Sequence, residues 1–239
     1  MESPFALRFE DLPALFPGFA EPRRWLAALR RHAELVQAAA PRVRVTSVPP
    51  EEFPRRHYAE SLELLAAIRA VASGGPIVDV GSGGGFPGLV FAVLEPDTRI
   101  HLIEPLRKRA RLLQDLAAEL ELANVTVHPL RAEDAARGPL RDSAAVVTAR
   151  AVAELRVLLE YTAPFAATGG FLAFPKGSGA RDELVAAATA MRTLRCEHLT
   201  TEPMRPPVSE TLQIVLARKV GATLRAYPRR AGLPERSPL

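Results

Sequence analysis

Cysteine occurs once in this chain, at Cys196, and lysine only three times, at Lys108, Lys176 and Lys219. One thiol excludes an internal disulfide and a cysteine-built metal site. The five histidines are scattered, with no pair at the four-residue spacing of a helical metal site, so no metal is expected. Long apolar runs are missing as well: Arg, Glu or Gly interrupts each one well before the roughly 18 to 20 residues a membrane span needs. The N-terminus carries acid where a secretion signal carries base. A cytoplasmic protein with no membrane partner is the expectation.

What is present suffices for one substantial core and a small appendage: 239 residues, 48% of them hydrophobic and 24% charged. The formal net charge is only +4, so its location matters more than its size. Between Ala217 and Leu239 six basic residues (Arg218, Lys219, Arg225, Arg229, Arg230, Arg236) face one acid, Glu235, in a stretch rich in Pro and Gly. Such a tail either holds a phosphate backbone by charge or merely solubilises a poorly ordered end.

Residues 1–73 read as a helical segment, with Trp25, Leu29 and Val36, and later Leu64, Leu65, Ile68 and Val71, at helical spacing. A Pro-rich linker, Pro49 to Pro54, separates the two runs. After Gly74 and Gly75 short β-rich runs alternate with amphipathic stretches, the pattern of a parallel sheet covered by helices. Strands are expected at Pro76–Val80, Arg99–Glu104, Val125–Leu130, Ala144–Ala149 and Phe171–Lys176. A helix over Leu106–Leu122 has Leu112, Leu113, Leu116 and Leu120 on one face and Arg107, Lys108, Arg109 and Arg111 in its first turns. The alternating run Thr211–Val220, after Arg205-Pro206-Pro207, suits a strand of a closing antiparallel hairpin. Residues 74–220 thus form the main domain and 221–239 a basic tail.

The strongest signal is Ile77-Val-Asp-Val-Gly-Ser-Gly-Gly-Gly-Phe-Pro-Gly88. An apolar strand ends in Asp79 and Val80, glycines permit a tight turn and close approach of a ligand, and Pro87 suits a helix start. The N–H groups of that helix start can hold a polar or anionic group, and ligands of open parallel sheets collect at this place. Gly83-x-Gly85-x-x-Gly88 matches the dinucleotide pattern literally. The frame argues otherwise: the strand ends at Val80, the first turn glycine is then Gly81, and the third glycine position is Phe86. The frame Asp79-x-Gly81-x-Gly83-x-Gly85 is a methyltransferase pattern and points to S-adenosylmethionine, held by Asp79, Gly81, Ser82, Gly83 and Gly85. The next strand ends in Glu104, where a carboxylate takes both ribose hydroxyls of an adenosine. Arg131-Ala132-Glu133-Asp134 follows the third strand, either beside the adenine or as a helix cap. The expected fold is α/β, a Rossmann-like class I S-adenosylmethionine-dependent methyltransferase: a mainly parallel seven-stranded sheet with a C-terminal antiparallel hairpin and an N-terminal helical extension.

The methyl acceptor is narrowed by what the loops lack. After the fourth strand the chain reads Val147-Thr148-Ala149-Arg150-Ala151, without the Asn/Asp-Pro-Pro-Tyr loop that orients amino nitrogens. Carbon-5 methylation of pyrimidines needs a cysteine nucleophile, and Cys196 falls in a late strand. A ring nitrogen such as guanine N7 needs neither device, because its lone pair is free and catalysis reduces to in-line placement. Arg150 and Lys176, at the ends of the fourth and fifth strands, are placed to donate to O6 and phosphates; the alternative for each is a solvated strand-end charge.

These residues resemble the glucose-inhibited division protein B family, the bacterial small-subunit ribosomal RNA guanine-N7 methyltransferases. The likeness runs from about Thr46 to the C-terminus: Arg56-His-Tyr-Ala-Glu-Ser-Leu62, the glycine turn, Leu106-Arg-Lys-Arg-Ala-Arg-Leu-Leu113, Thr148-Ala-Arg-Ala151, Pro175-Lys-Gly177 and the tail from Tyr227. The resemblance implies Gly81 and Phe86 at the cofactor, Glu104 at its ribose, Ala132 and Glu133 at its adenine, and Arg150 near both cofactor and target. It also implies a monomer acting on a guanine in the 530 loop of 16S ribosomal RNA, within the 30S subunit or a late precursor. His57 would orient the RNA, support the active-site loop or serve the helix start. Three places depart from the family: Arg44-Val45-Thr46 for its Asn-Leu-Thr, Glu60 for its Asp, and Thr211-Leu212 for its Arg-His. Two other readings stand beside this one: a methyltransferase for another RNA or a small molecule, and a non-catalytic ribosome-binding factor.

Overall fold

In a computed structural model, which describes residues 7–239, the β-rich runs become β1 (Ile77–Val80), β2 (Ile100–Ile103), β3 (Val125–His128), β4 (Ala144–Ala149), β5 (Ala166–Lys176), β6 (Cys196–Pro203) and β7 (Gln213–Lys219). Residues 1–6 of the expected N-terminal segment lie outside the described residues. The strands make one sheet in the order β3-β2-β1-β4-β5-β7-β6. Strands β1 to β5 are mutually parallel, and β7 runs antiparallel to both β5 and β6. The chain therefore steps outward from β1 on one side and from β4 on the other, and the switch lies between those two strands. Val80 is paired with Ile103 and also with Ala149, so Gly81, Glu104 and Arg150 leave the sheet side by side.

The helices are α1 (Leu12–Leu15), α2 (Pro22–Ala39), α3 (Glu60–Val71), α4 (Gly88–Leu94), α5 (Arg107–Glu119), α6 (Ala132–Ala135), α7 (Leu155–Thr162), α8 (Ala180–Ala186), α9 (Ala188–Thr193) and α10 (Leu233–Arg236). None of them is long and apolar enough to cross a membrane. Alternation along the strands divides the core between the two faces of the sheet. Ile77, Ile100 and Leu102 pack with Trp25, Leu29, Leu62, Leu65 and Phe91, so α2, α3 and α4 share one core. Val78, Val80, Ile103 and Val147 pack on the other face with Leu158, Phe165, Phe174 and Met191. The N-terminal helices are thus built into the sheet's own core.

Boundaries moved where turn residues interrupt an apolar pattern. Strand β5 starts at Ala166, five residues before the expected Phe171, because pairing with β4 runs through Gly169-Gly170 with a register shift between Ala144 and Val146. The Pro49–Pro54 stretch is no free linker. Pro50–Glu52 forms a 3-10 turn, Pro54–Ala59 a wide π-helical turn leading directly into α3, and Phe53 and Pro54 are buried.

The tail, for which a poorly ordered end was one expectation, is anchored. Arg141 donates to the carbonyls of Thr223, Leu224 and Tyr227, and Arg137 to that of Pro228. Two of the six basic residues counted there are internal. Lys219 is fully buried and donates to Asp142 (3.2 Å) and to the Thr223 hydroxyl (2.8 Å). Arg229 grips Glu160, itself 1% exposed, through Nε at 2.8 Å and Nη2 at 2.5 Å. Arg218, Arg225, Arg230 and Arg236 remain exposed. Removing the cation from a buried pair strands the carboxylate in a poor solvent. Arg229→Met is therefore expected to destabilise the protein by about 3 kcal/mol, read as a fall in the urea midpoint at unchanged slope.

Candidate active site

The glycine turn is pinned from both sides. The Gly81 N–H donates to Ile103 O at 2.8 Å, continuing the β1–β2 ladder by one bond. The Ser82 hydroxyl donates back to Asp79 O at 2.9 Å. Glu104, directly after β2, accepts from the Gly83 N–H (3.1 Å) on one oxygen and from the Leu106 N–H (2.9 Å) on the other. One carboxylate thus joins the turn to the start of α5.

Two glycines are obligatory for separate reasons. Gly85 sits at φ +90°, and a Cβ there would lie 2.5 Å from Leu89 Cδ1. Gly88 is limited by space: its Cβ would lie 2.3 Å from Leu102 Cδ2 and 2.7 Å from Asp79 Oδ2. Asp79 is wholly buried beneath the turn, where Oδ2 accepts the Gly88 N–H at 3.1 Å and Oδ1 has no partner. Burial pushes its carboxyl up to about 7. Asp79 was expected among the cofactor contacts; its carboxylate instead braces the start of α4.

Above the turn lies a cavity of about 660 Å³, lined by Gly81, Ser82, Gly83, Gly84, Phe86, His57, Glu60, Arg150, Lys176 and Glu183, with the segment Arg44–Val48 along one side. Arg44, Arg56 and Arg109 also line it. Seven residues singled out from sequence therefore meet in one place: Gly81, Ser82, Gly83, Phe86, His57, Arg150 and Lys176. Gly85, Glu104, Ala132 and Glu133 lie outside this lining. Ala132 and Glu133 open α6 after β3, both buried, and Glu133 Oε1 accepts the Gly232 N–H of the tail at 2.9 Å. Its carboxylate serves the tail anchor.

His57 is the centre of a tight cluster. Its ring stacks on Phe86, with centroids 4.1 Å apart and planes within 13°. Arg150 Nη2 donates to His57 Nδ1 at 2.7 Å. A guanidinium only donates, so Nδ1 accepts and the proton sits on Nε2, which donates to the Thr46 hydroxyl at 2.8 Å. Burial, then the Arg150 charge, holds the His57 pKa down at about 3. The imidazole is neutral with both nitrogens engaged. In this structure it supports Arg150 and Phe86.

Arg150 also donates from Nη1 to Arg56 O at 2.8 Å and to Glu60 Oε2 at 3.3 Å, and its guanidinium lies 5.5 Å from the Phe86 ring centre. Lys176 is held differently: Nζ pairs with Glu183 Oε2 at 2.6 Å and donates to Ala153 O at 3.0 Å. Glu183 accepts the Leu155 N–H at 2.7 Å as well. Neither cation is the freely solvated strand-end charge that sequence alone allowed. His32 was not anticipated: Nε2 donates to Gly84 O at 2.9 Å, and Nδ1 accepts from the Tyr58 hydroxyl at 3.2 Å. The signal was visible, since His32 falls on the same helical stripe as Trp25, Leu29 and Val36. Glu183 gave no comparable signal. It reaches the site only because α8 packs against α7, where Glu183 accepts the Leu155 N–H.

The family model described as "GidB: rRNA small subunit methyltransferase G" matches residues 26–211. A "Ribosomal RNA small subunit methyltransferase G" of Roseiflexus castenholzii is 38% identical over 219 residues, covering 91% of this chain and 93% of that protein. One of the same name from Desulfitobacterium hafniense is 37% identical over 201 residues, covering 83% and 82%. Among solved structures, a 16S rRNA (adenine(1408)-N(1))-methyltransferase variant with its cosubstrate SAM, from Catenulisporales acidiphilia, superposes with a TM-score of 0.51 at 18% identity. That match covers 66% of this chain and 91% of the other and concerns the fold.

The contact of Gly88 with Asp79 and Leu102 sets a direct test of the turn. Gly88→Ala forces a methyl into occupied space, and overpacking of this kind costs about 1 to 3 kcal/mol. Thermal unfolding should register that loss, whereas Gly138→Ala, whose added Cβ would meet only Ala135 O at 3.4 Å, should not.

Proposed function

Because the chain belongs to the family of rRNA small subunit methyltransferase G, we propose that it methylates N7 of a guanine in the 530 loop of 16S ribosomal RNA, using S-adenosylmethionine. The observation that carries this reading is Arg150, a cation fixed against Phe86 at the switch point of the sheet, in a cavity open to a planar base. The cavity holds no cysteine nucleophile: Cys196 is buried at the start of β6, and burial pushes its thiol up to about 12. The loop after β4 reads Arg150, Ala151, Val152, Ala153 and Glu154, and its one carboxylate pairs with Arg156 outside the cavity lining. Guanine N7 asks for neither.

The residues fit the cofactor by the chemistry of the donor set. Glu104 spends one acceptor position of each oxygen on Gly83 and Leu106, which leaves lone pairs for two ribose hydroxyls. Gly81, Ser82 and Gly83 turn main chain toward the cavity. Gly85 and Phe86 complete the turn, and Ala132 and Glu133 would flank the adenine. Bound there, S-adenosylmethionine supplies an electrophilic methyl group on a sulfonium. The chain's own work is positioning. Arg150 donates toward guanine O6, the commonest pairing for that acceptor, and Lys176 holds the base or its phosphate from the β5 side. His57 is neutral and fully engaged, so it takes no proton and acts by support.

Ribosomal RNA also suits the rim, where Arg44, Arg56 and Arg109 line the cavity and Arg107 and Lys108 stand exposed beside them. Such a rim holds phosphates by charge and weakens with salt. The substrate is the 30S subunit or a late precursor, and the protein works there as a monomer in the cytoplasm.

Purified protein should bind S-adenosylmethionine and confer borohydride/aniline-sensitive cleavage on ribosomal RNA lacking the modification, with 30S subunits and naked RNA offered in parallel. Intact strands after that treatment would overturn the N7 assignment. Labelled methyl transfer to small molecules, and none to subunits, would move the enzyme to another substrate. Glu104→Ala should weaken cofactor binding by calorimetry, while Lys176→Ala should spare it and lower methyl transfer. Equal loss of cofactor affinity in both variants would remove Lys176 from the acceptor side.

A further inference from the structure

Arg150 does not hold its own position. A long arginine side chain loses rotamer freedom when fixed, and the groups that fix this one come from the N-terminal extension rather than the sheet domain. They are the Arg56 carbonyl at 2.8 Å, His57 Nδ1 at 2.7 Å and the Glu60 carboxylate at 3.3 Å. All three belong to the π-helical turn Pro54–Ala59 and the first residue of α3. Of the three, only Glu60 brings charge. Its side chain is 10% exposed and that of Arg150 17%, so the pair is largely withdrawn from water, where an ion pair gains strength and its loss leaves a stranded charge.

We propose that Glu60 is a positioning residue for methyl transfer: its carboxylate, reaching the cavity from α3, holds the Arg150 guanidinium against Phe86 in the orientation that receives the base. The proposal rests on Arg150 acting at the acceptor, as argued above. The family resemblance places Asp at this position, so the charge is kept here while the stem is one methylene longer. The π-helical turn and the start of α3 account for the reach, because together they bring Arg56 O, His57 and Glu60 to bear on one guanidinium.

The pairing requires an ionised Glu60. Burial pushes this carboxyl up to about 7, against the pull of Arg150, Arg56 and Arg55. The other charged groups facing Arg150 are Asp79 on β1, also raised to about 7 by burial, and Arg56, whose like charge opposes it. His57, at about 3, does not change charge in this range. Guanine N7 carries no proton near neutrality, so an acid limb in the rate reports on the protein. The sign follows from ionisation: as pH falls through about 7 Glu60 takes up a proton, the pair is lost, and the rate declines.

The test uses the full-length protein with 30S subunits lacking the methyl group. Glu60→Gln should lower kcat by up to about 100-fold, the scale of a misplaced catalytic group, while the KM for subunits and the S-adenosylmethionine affinity stay at wild-type values. The acid limb should disappear with it. Glu60→Asp should restore both the rate and the limb. A limb that persists in Glu60→Gln belongs to Asp79 and overturns the proposal, as does a loss confined to KM or to thermal stability. A second measurement is independent of turnover. The 15N-detected Nη–H signals of Arg150 should be sharp in the wild type and broadened in Glu60→Gln, and identical spectra would sink the clamp even if methylation proceeds. Sharp wild-type signals without any methylation of RNA would instead count against the RNA reading alone.

Discussion

Everything at the candidate site depends on one register: β1, β2 and β4 end level, with Val80 opposite both Ile103 and Ala149. The residue after each of those ends is therefore delivered to the same edge. Gly81 brings a main-chain turn, Glu104 a carboxylate and Arg150 a cation. A slip of one residue would send each side chain to the opposite face of the sheet. The two faces are defended by separate cores, which makes the register costly to break. The chemistry at the edge is diverse, and the constraint that aligns it is the backbone ladder held in register by two apolar cores.

On that edge the protein concentrates buried charge and pairs it. Arg150 meets Glu60, and Lys176 meets Glu183. Away from the site the same rule fixes the tail, through Arg229 with Glu160 and Lys219 with Asp142. Such pairs add little to stability over apolar residues of similar size, yet removing one partner is expensive. They specify geometry. Phe86 ties this arrangement to the glycine turn, because its ring stacks on His57 while its backbone closes the loop over Ser82. The N-terminal extension is in that sense part of the site and not an accessory to it.

A good part was legible in the linear sequence. The glycine turn, the acid ending β2 and the alternation of strands with helices are local patterns, set by turn sterics and by periodicity of two and 3.6. Such patterns, with the family resemblance for His57, singled out seven residues that line one cavity. The errors arose where short patterns are ambiguous. Gly169-Gly170 hid the first half of β5, and the prolines of Pro49–Pro54 read as a linker although they start turns. The six basic residues near the end read as one charged tail, although Lys219 is buried and Arg229 holds the buried Glu160.

A mainly parallel α/β sheet with a nucleoside-type turn after β1 follows from local pattern alone, because glycine spacing and hydrophobic period act over a few residues. What each polar side chain does depends on how the chain folds together. Asp79 braces α4, Glu133 anchors the tail, and His57 is a neutral support, because each role depends on partners between 9 and 99 positions away along the chain. Hydrogen bonding and desolvation act through space, and a linear reading has no measure of that distance.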